Sequence, residues 1–184
     1  MGRMNQIKGF DDFYGVLSAE AGCILQDLQN YAIERNYEVP LDLGAKGSCM
    51  IGGNLATNAG GIKLIKHNSL HANTIGLKAV LADGTILDNM TTVRKDNTGY
   101  DLKHLFIGSE GTLGIITECS LLCPPLPKAR NLAMVGCGKF DDVLQILKVA
   151  KAELGDSMQA FECMDRASME VTLEQFKTST YPFK

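Results

Sequence analysis

Runs of apolar residues with strand and helix periods divide the chain into a strand-rich first part and a helix-bearing tail. Gly15 to Ala21 predicts a short strand. Cys23 to Asn36 carries apolar residues at Ile24, Leu28, Tyr31 and Ala32, the spacing of a helix with one buried face. Thr74 to Leu81 predicts a strand, Asp83-Gly84 a hairpin turn and Thr85 to Leu87 the returning strand, so the sheet is not purely parallel. Asp101 to Phe106 predicts a short helix with Leu102, Leu105 and Phe106 on its apolar side and Gly108 to end it. Gly114 to Cys123 is a long β-branched run stopped by Pro124 and Pro125, where a domain boundary is expected. Beyond it, Asn131 to Cys137 and Met158 to Cys163 predict strands. Phe140 to Leu154 predicts a helix turned inward at Val143, Leu144, Leu147 and Leu154 and ended by Gly155, and Asp165 is placed to cap a helix reaching about Glu174. The tail thus reads as an unfinished β-α-β-α layer of ferredoxin-like type, with apolar faces partly exposed.

Between these elements the character changes. From Val39 to Gly61 the chain is interrupted by Gly44, Gly47, Gly52, Gly53, Gly60 and Gly61, with Asp42, Ser48, Asn54, Thr57 and Asn58 supplying short polar groups. Glycine lets backbone N–H groups approach a ligand closely, a helix beginning near Ile51 would add its positive end, and Ser48, Thr57 and Asn58 can donate to phosphate or ring oxygens. A second cluster, Gly108-Ser109-Glu110-Gly111-Thr112-Leu113-Gly114-Ile115-Ile116, joins helix to strand through similarly accessible backbone. A dinucleotide has separate pyrophosphate, ribose and ring surfaces, so two such loops closing on it make physical sense. Neither cluster has the spacing of a Rossmann fingerprint or a P-loop. Composition by itself stops at a nucleotide-like ligand.

The bulk properties narrow the field only a little. A chain 45% hydrophobic and 21% charged folds rather than staying disordered, and a net charge of -3 without long runs of either sign points away from nucleic acid and membrane surfaces. No apolar stretch approaches the roughly 20 residues of a membrane span, and Met-Gly-Arg-Met-Asn-Gln has no apolar signal core. Six cysteines without a Cys-x-x-Cys pair fit reduced thiols, most of them small buried hydrophobes.

Four segments carry a resemblance. Pro40 to Ser48, Ile51 to Gly61, Asp96 to Leu102 and Leu105 to Thr117, in this order, closely resemble the D-2-hydroxyglutarate dehydrogenase family, within the vanillyl-alcohol-oxidase type of flavoproteins. The resemblance implies an α+β chain. The resemblance implies a PCMH-type FAD-binding domain, incomplete and built on a mixed sheet with flanking helices, over residues 1–125, and the start of a ferredoxin-like substrate (cap) domain over 126–184. It implies FAD as cofactor, contacted by Asp42, Leu43, Gly44, Ala45, Lys46, Gly47 and Ser48, by Gly52, Gly53, Asn54, Thr57, Asn58, Ala59 and Gly60, and by Glu110, Gly111, Thr112, Leu113, Gly114, Ile115 and Ile116. Lys95 to Leu102 is expected to shape the turn and helix that present the second loop. The implied reaction is oxidation of a D-2-hydroxyacid, D-2-hydroxyglutarate to 2-oxoglutarate, with an electron-transfer flavoprotein as acceptor and the mitochondrial matrix as location.

The same motifs occur in D-lactate dehydrogenases, the glycolate oxidase flavin subunit and alkyl-dihydroxyacetone-phosphate synthase, so they specify FAD strongly and substrate weakly. A D-lactate or glycolate dehydrogenase relative, and a catalytically inactive flavin-binding or interaction fragment, stay open as alternatives. The family's N-terminal pyrophosphate-cradling glycine loop has no counterpart before Gly15, and no catalytic residue can be carried over. His67-x-x-x-His71 has a metal-ligand spacing but reads as a polar loop, His104 is expected to face solvent, and Asp83 and Asp88 read as turn residues. No metal site is expected.

Overall fold

The structure, a computed structural model, describes residues 1–176. Its sheet has five strands: β1 (Ile7–Asp11), β2 (Val16–Glu20), β3 (Thr74–Val80), β4 (Ile86–Asn89) and β5 (Ile115–Leu122), in spatial order β1-β2-β5-β3-β4. All four pairings are antiparallel. The apolar side of helix α1 (Leu25–Ile33) sinks Leu25, Leu28 and Ala32 into a core shared with Leu17, Ala19, Leu77, Cys119 and Leu121 from the central strands. The Asp83-Gly84 hairpin forms, with Gly84 at φ +87° and the Asp83 carboxylate accepting from Thr85 N–H.

Strand β1, which pairs with β2, has no signal in the pattern because Ile7-Lys8-Gly9-Phe10-Asp11 buries none of its residues fully. An edge strand needs little apolar content once a neighbour supplies its hydrogen bonds. Four short helices fill the connections: α2 (Ile51–Ala56), α3 (Leu64–His67), α4 (Leu70–Asn73) and α5 (Lys103–Phe106).

In the tail, α6 (Phe140–Leu154) and α7 (Arg166–Gln175) form where expected, with Gly155 at φ +49° closing the first and the Asp165 carboxylate capping the second through Ser168 N–H at 2.7 Å. The expected strands at 131–137 and 158–163 do not: both segments lie outside any ladder. A strand is a pairing, and β-propensity without a partner edge leaves the backbone to solvent. The apolar face of α6 is incompletely covered, with Leu144 and Leu154 exposed. Residues 177–184 of the expected second domain lie outside the described residues. The cysteines divide. Cys23, Cys119 and Cys123 are buried, and burial pushes the Cys123 thiol up to about 12, whereas Cys137 and Cys163 are exposed.

One buried charge cluster ties the tail to the sheet. Glu38 is 3% exposed and its carboxylate accepts from Lys63 Nζ (2.7 Å), Arg130 Nη2 (2.7 Å) and Gln159 Nε2 (3.1 Å), while His67 Nε2 lies 3.5 Å away. Burial pushes the Glu38 carboxyl up, but the hydrogen bond and charge of Lys63, with Arg130 and His67, outweigh it and hold the pKa below the usual value. Burial lowers the His67 pKa more than Glu38 raises it, so the folded state favours the neutral ring. His67 is therefore a buried member of this cluster and not part of a polar loop. Protonation of His67 opposes folding as pH drops below about 6.5, and the Glu38 contribution, present above its unfolded pKa of about 4.3, is lost as pH falls further.

Glu38→Gln strands the Lys63 charge in this environment and is expected to lower the free energy of unfolding by about 3 kcal/mol. Glu38→Gln combined with Lys63→Met is expected to lose less than half of that. Urea denaturation at neutral pH measures both, and equal losses would contradict the pairing.

Candidate functional site

The first glycine cluster is held against the sheet by its own backbone. Ile51 and Gly52 at the start of α2 donate their N–H groups to the carbonyls of Cys23 (3.0 Å) and Ala21 (2.8 Å). The expected positive helix end is therefore spent on the sheet rather than offered to an anion. A Cβ on Gly52 would stand 2.6 Å from the Ala21 side chain, which is why this position admits only glycine, whereas Gly53 faces open space. At Gly61 the backbone adopts φ +61° and a Cβ would lie 2.1 Å from the Asp42 carbonyl, so the end of the cluster is packed onto its beginning.

The second cluster is a loop of left-handed residues, Gly108 (φ +84°), Glu110 (φ +51°) and Gly111 (φ +80°). Its N–H groups reach across to α2, Gly108 to the Leu55 carbonyl at 3.0 Å and Glu110 to the Ala56 carbonyl at 2.9 Å. Gly114 then passes so close to β3 that a Cβ would be 2.7 Å from the Val80 carbonyl, and β5 begins.

The two clusters consequently form facing walls of one cleft of about 220 Å³, lined by Met1, Gly52, Gly53, Ala56, Ser109, Glu110, Gly111, Gly114, Ile115 and Ile116. That volume takes part of a dinucleotide, since pockets enclosing a whole ligand of that class run from roughly 300 Å³ upward. Of the expected site residues the cleft unites Gly52, Gly53, Glu110, Gly111, Gly114, Ile115 and Ile116. Met1, Ala56 and Ser109 are additions; Ala56 and Ser109 adjoin expected positions in the sequence and share their small size.

Asp42 to Ser48 is not among the lining residues. It forms a mostly exposed turn in which the Asp42 carboxylate accepts from Gln29 Nε2 (3.2 Å) and Lys46 Nζ (3.1 Å), while Gly44 and Gly47 face open space. The hydroxyls expected to meet phosphate are turned inward, Ser48 donating to the Ala45 carbonyl and Thr57 to that of Gly53. Asn58, at φ +50°, uses its side-chain oxygen to accept from His71 N–H at 3.0 Å. Thr112 donates its hydroxyl to the Ser109 carbonyl, Leu113 is exposed, and Ala59 packs against the core. Gly60 packs on Leu64. The Asp96–Leu102 run is largely exposed, with Tyr100 at 93%.

A small-residue cleft whose walls are backbone suits a flat, multiply hydrogen-bonding ligand better than one read by charged side chains. A profile described as an FAD binding domain matches residues 1–89. The solved structure of an alkyldihydroxyacetonephosphate synthase superposes with a TM-score of 0.61 at 26% identity, covering 70% of this chain and 23% of that one. Residues 1–89 are thus similar to an FAD binding domain. It is similar over 168 residues, at 55% identity, to mitochondrial D-2-hydroxyglutarate dehydrogenase of Rattus norvegicus, a match covering 91% of this chain and 31% of that protein. The D-2-hydroxyglutarate–pyruvate transhydrogenase of Saccharomyces cerevisiae is 41% identical over 181 residues, covering 98% of this chain and 36% of that protein. The chain thus spans about a third of the length of these relatives.

The residues present fit FAD. Gly53 leaves room for close approach on one wall, Gly111 on the other, and Asn54 Oδ1 is a buried acceptor without a donor among the described residues. No group of three or more His, Cys, Asp or Glu among the described residues is arranged for a metal, and no described helix is long and apolar enough to cross a membrane. His67 and His71 fall on separate helices, and His104, its side chain 38% exposed, also lies against His71. Asp83 and Asp88 accept from the backbone N–H groups of Thr85 and Met90, as turn residues.

Gly61→Ala is expected to destabilise the fold by about 2 kcal/mol or more, because a positive φ and a backbone clash coincide there. Gly53→Ala, helical and unobstructed, is expected to stabilise it by about 0.5 kcal/mol. Thermal and urea unfolding of the two variants check the contrast.

Proposed function

We propose that this chain supplies part of the FAD site of a D-2-hydroxyacid dehydrogenase, acting on D-2-hydroxyglutarate in the mitochondrial matrix. The observation that carries the reading is the cleft itself: Gly52 and Gly53 face Glu110 to Ile116 across a gap with almost no charged side chain in its walls. The names of the relatives support the substrate. FAD, when bound, would supply the redox step by accepting hydride from the substrate α-carbon, and electrons would leave to an electron-transfer flavoprotein. The chain's own part is placement. The walls hold the dinucleotide through backbone groups, and in the second loop the left-handed Gly111 leaves the backbone open to the cleft without a side chain. The turn from Asp42 to Ser48 and the segment from Thr57 to Gly60 would reach other portions of the ligand. No residue of this chain is given a catalytic role. Residues 1–125 form the flavin-binding unit in this reading, and 126–184 begin the unit that meets the substrate.

Expression of the chain with FAD, followed by desalting, is expected to retain flavin absorbance. Gly53→Ala is expected to retain about tenfold less, a loss of roughly 1.4 kcal/mol, while remaining as stable as the parent or more so. Loss of flavin with gained stability separates a ligand clash from a folding defect. A parent chain without flavin, or a variant with undiminished flavin, sinks the assignment of this cleft. Anaerobic bleaching of the flavin by D-2-hydroxyglutarate, in a protein carrying this chain together with the substrate unit, tests the substrate. Bleaching by D-lactate or glycolate in its place would reassign it.

A further inference from the structure

Beside the cleft its two walls are joined by a pair of imidazoles that contact neither lining wall as ligand groups. The rings of His71 in α4 and His104 in α5 are near-parallel, with centroids 4.8 Å apart, planes 15° from parallel and Nδ1 atoms 2.8 Å apart. Each is tied to a different wall. The His71 N–H donates to Asn58 Oδ1, at the end of the first glycine cluster. His104 sits in the helix that leads into the loop from Gly108 to Gly111, whose backbone bonds to Leu55 and Ala56 close the cleft.

Two nitrogens at this distance can share one proton and not two, because a neutral imidazole offers one N–H and one lone pair. Asp101 biases which nitrogen carries it. Its carboxylate lies 3.3 Å from His104 Nε2. That favours the tautomer with the proton on Nε2 and leaves His104 Nδ1 as acceptor for His71 Nδ1–H. A single proton added to either ring preserves the bridge, because the neutral partner can turn its Nδ1 lone pair toward it, whereas protonation of both rings sets two N–H groups against each other. Burial opposes the charged form of His104 most, Asp101 favours it, and Lys103 and His71 oppose it.

We propose that His71 and His104 are positioning residues for the flavin site: their single shared proton fixes the spacing of the two walls, and protonation of both rings releases the loop from Gly108 to Gly111. This rests on the FAD reading, but the bridge can be measured without flavin. In amide hydrogen exchange of the full chain, His104→Ala is expected to speed exchange at Gly108 and Glu110 about fivefold, the equivalent of one net hydrogen bond, while His104→Gln stays within about twofold. Glutamine keeps a side-chain acceptor and cannot become charged. Corrected for intrinsic rates, exchange at these amides in the wild type is expected to step upward as pH falls below about 6.5, with no step in His104→Gln. The FAD dissociation constant from flavin fluorescence is expected to rise over the same interval in the wild type alone. Unchanged exchange in His104→Ala, or the same pH step in His104→Gln, overturns the proposal. The expected exchange pattern with no flavin bound at any pH overturns the FAD reading, and with it the positioning role, and leaves the bridge as a purely structural one.

Discussion

Everything near the cleft depends on the hydrogen bonding of β5 along both of its edges. The strand pairs with β2 on one side and β3 on the other, and its residues Ile116, Thr117, Cys119, Ser120 and Leu121 are buried. A strand with both edges satisfied has no freedom to slide, since a shift of one residue would turn its apolar side chains outward. The loop that enters it is therefore delivered to a fixed point beside α2, which packs on the same strand. Gly114 marks that point because only the absence of a side chain lets the chain pass the Val80 carbonyl.

A site built this way is made of backbone, and that explains its appearance in the sequence. Gly52, Gly61 and Gly114 are required by close approach to Ala21, Asp42 and Val80, while Gly53 and Gly111 are free of neighbours and leave space for a ligand. Two different physical demands thus produce the same letter. The composition of the clusters shows that something unusual is built there but not which glycines pack and which ones open the cleft.

The legible parts of the fold were those fixed locally. The period of α1 and α6, the Asp83-Gly84 turn, the Asp165 cap and the positive-φ glycines at 108 and 155 depend on neighbours within a few residues, and each lies where the pattern places it. What depended on distant partners was not legible. β1 is a strand because β2 is beside it, whereas the β-rich stretches at 131–137 and 158–163 lack such a neighbour among the described residues. The hydroxyls of Ser48 and Thr57 have the right chemistry for a phosphate, yet a carbonyl three or four residues back competes for each, as is common for short polar side chains. The cluster around Glu38 was illegible for the same reason. Its members come from positions 38, 63, 67, 130 and 159, and no spacing rule relates them.

The pairing of β2 with β5 also sets an order of events in synthesis. The hydroxyls of Ser18 and Ser120, 2.9 Å apart in the finished sheet, belong to residues 102 positions apart. A nascent chain emerging from the ribosome displays its first glycine cluster well before the loop at Glu110 has been translated, and the closing strand comes later still. During that interval only one of the two walls exists. On the FAD reading, both walls of the cleft stand together only once the chain has closed on itself.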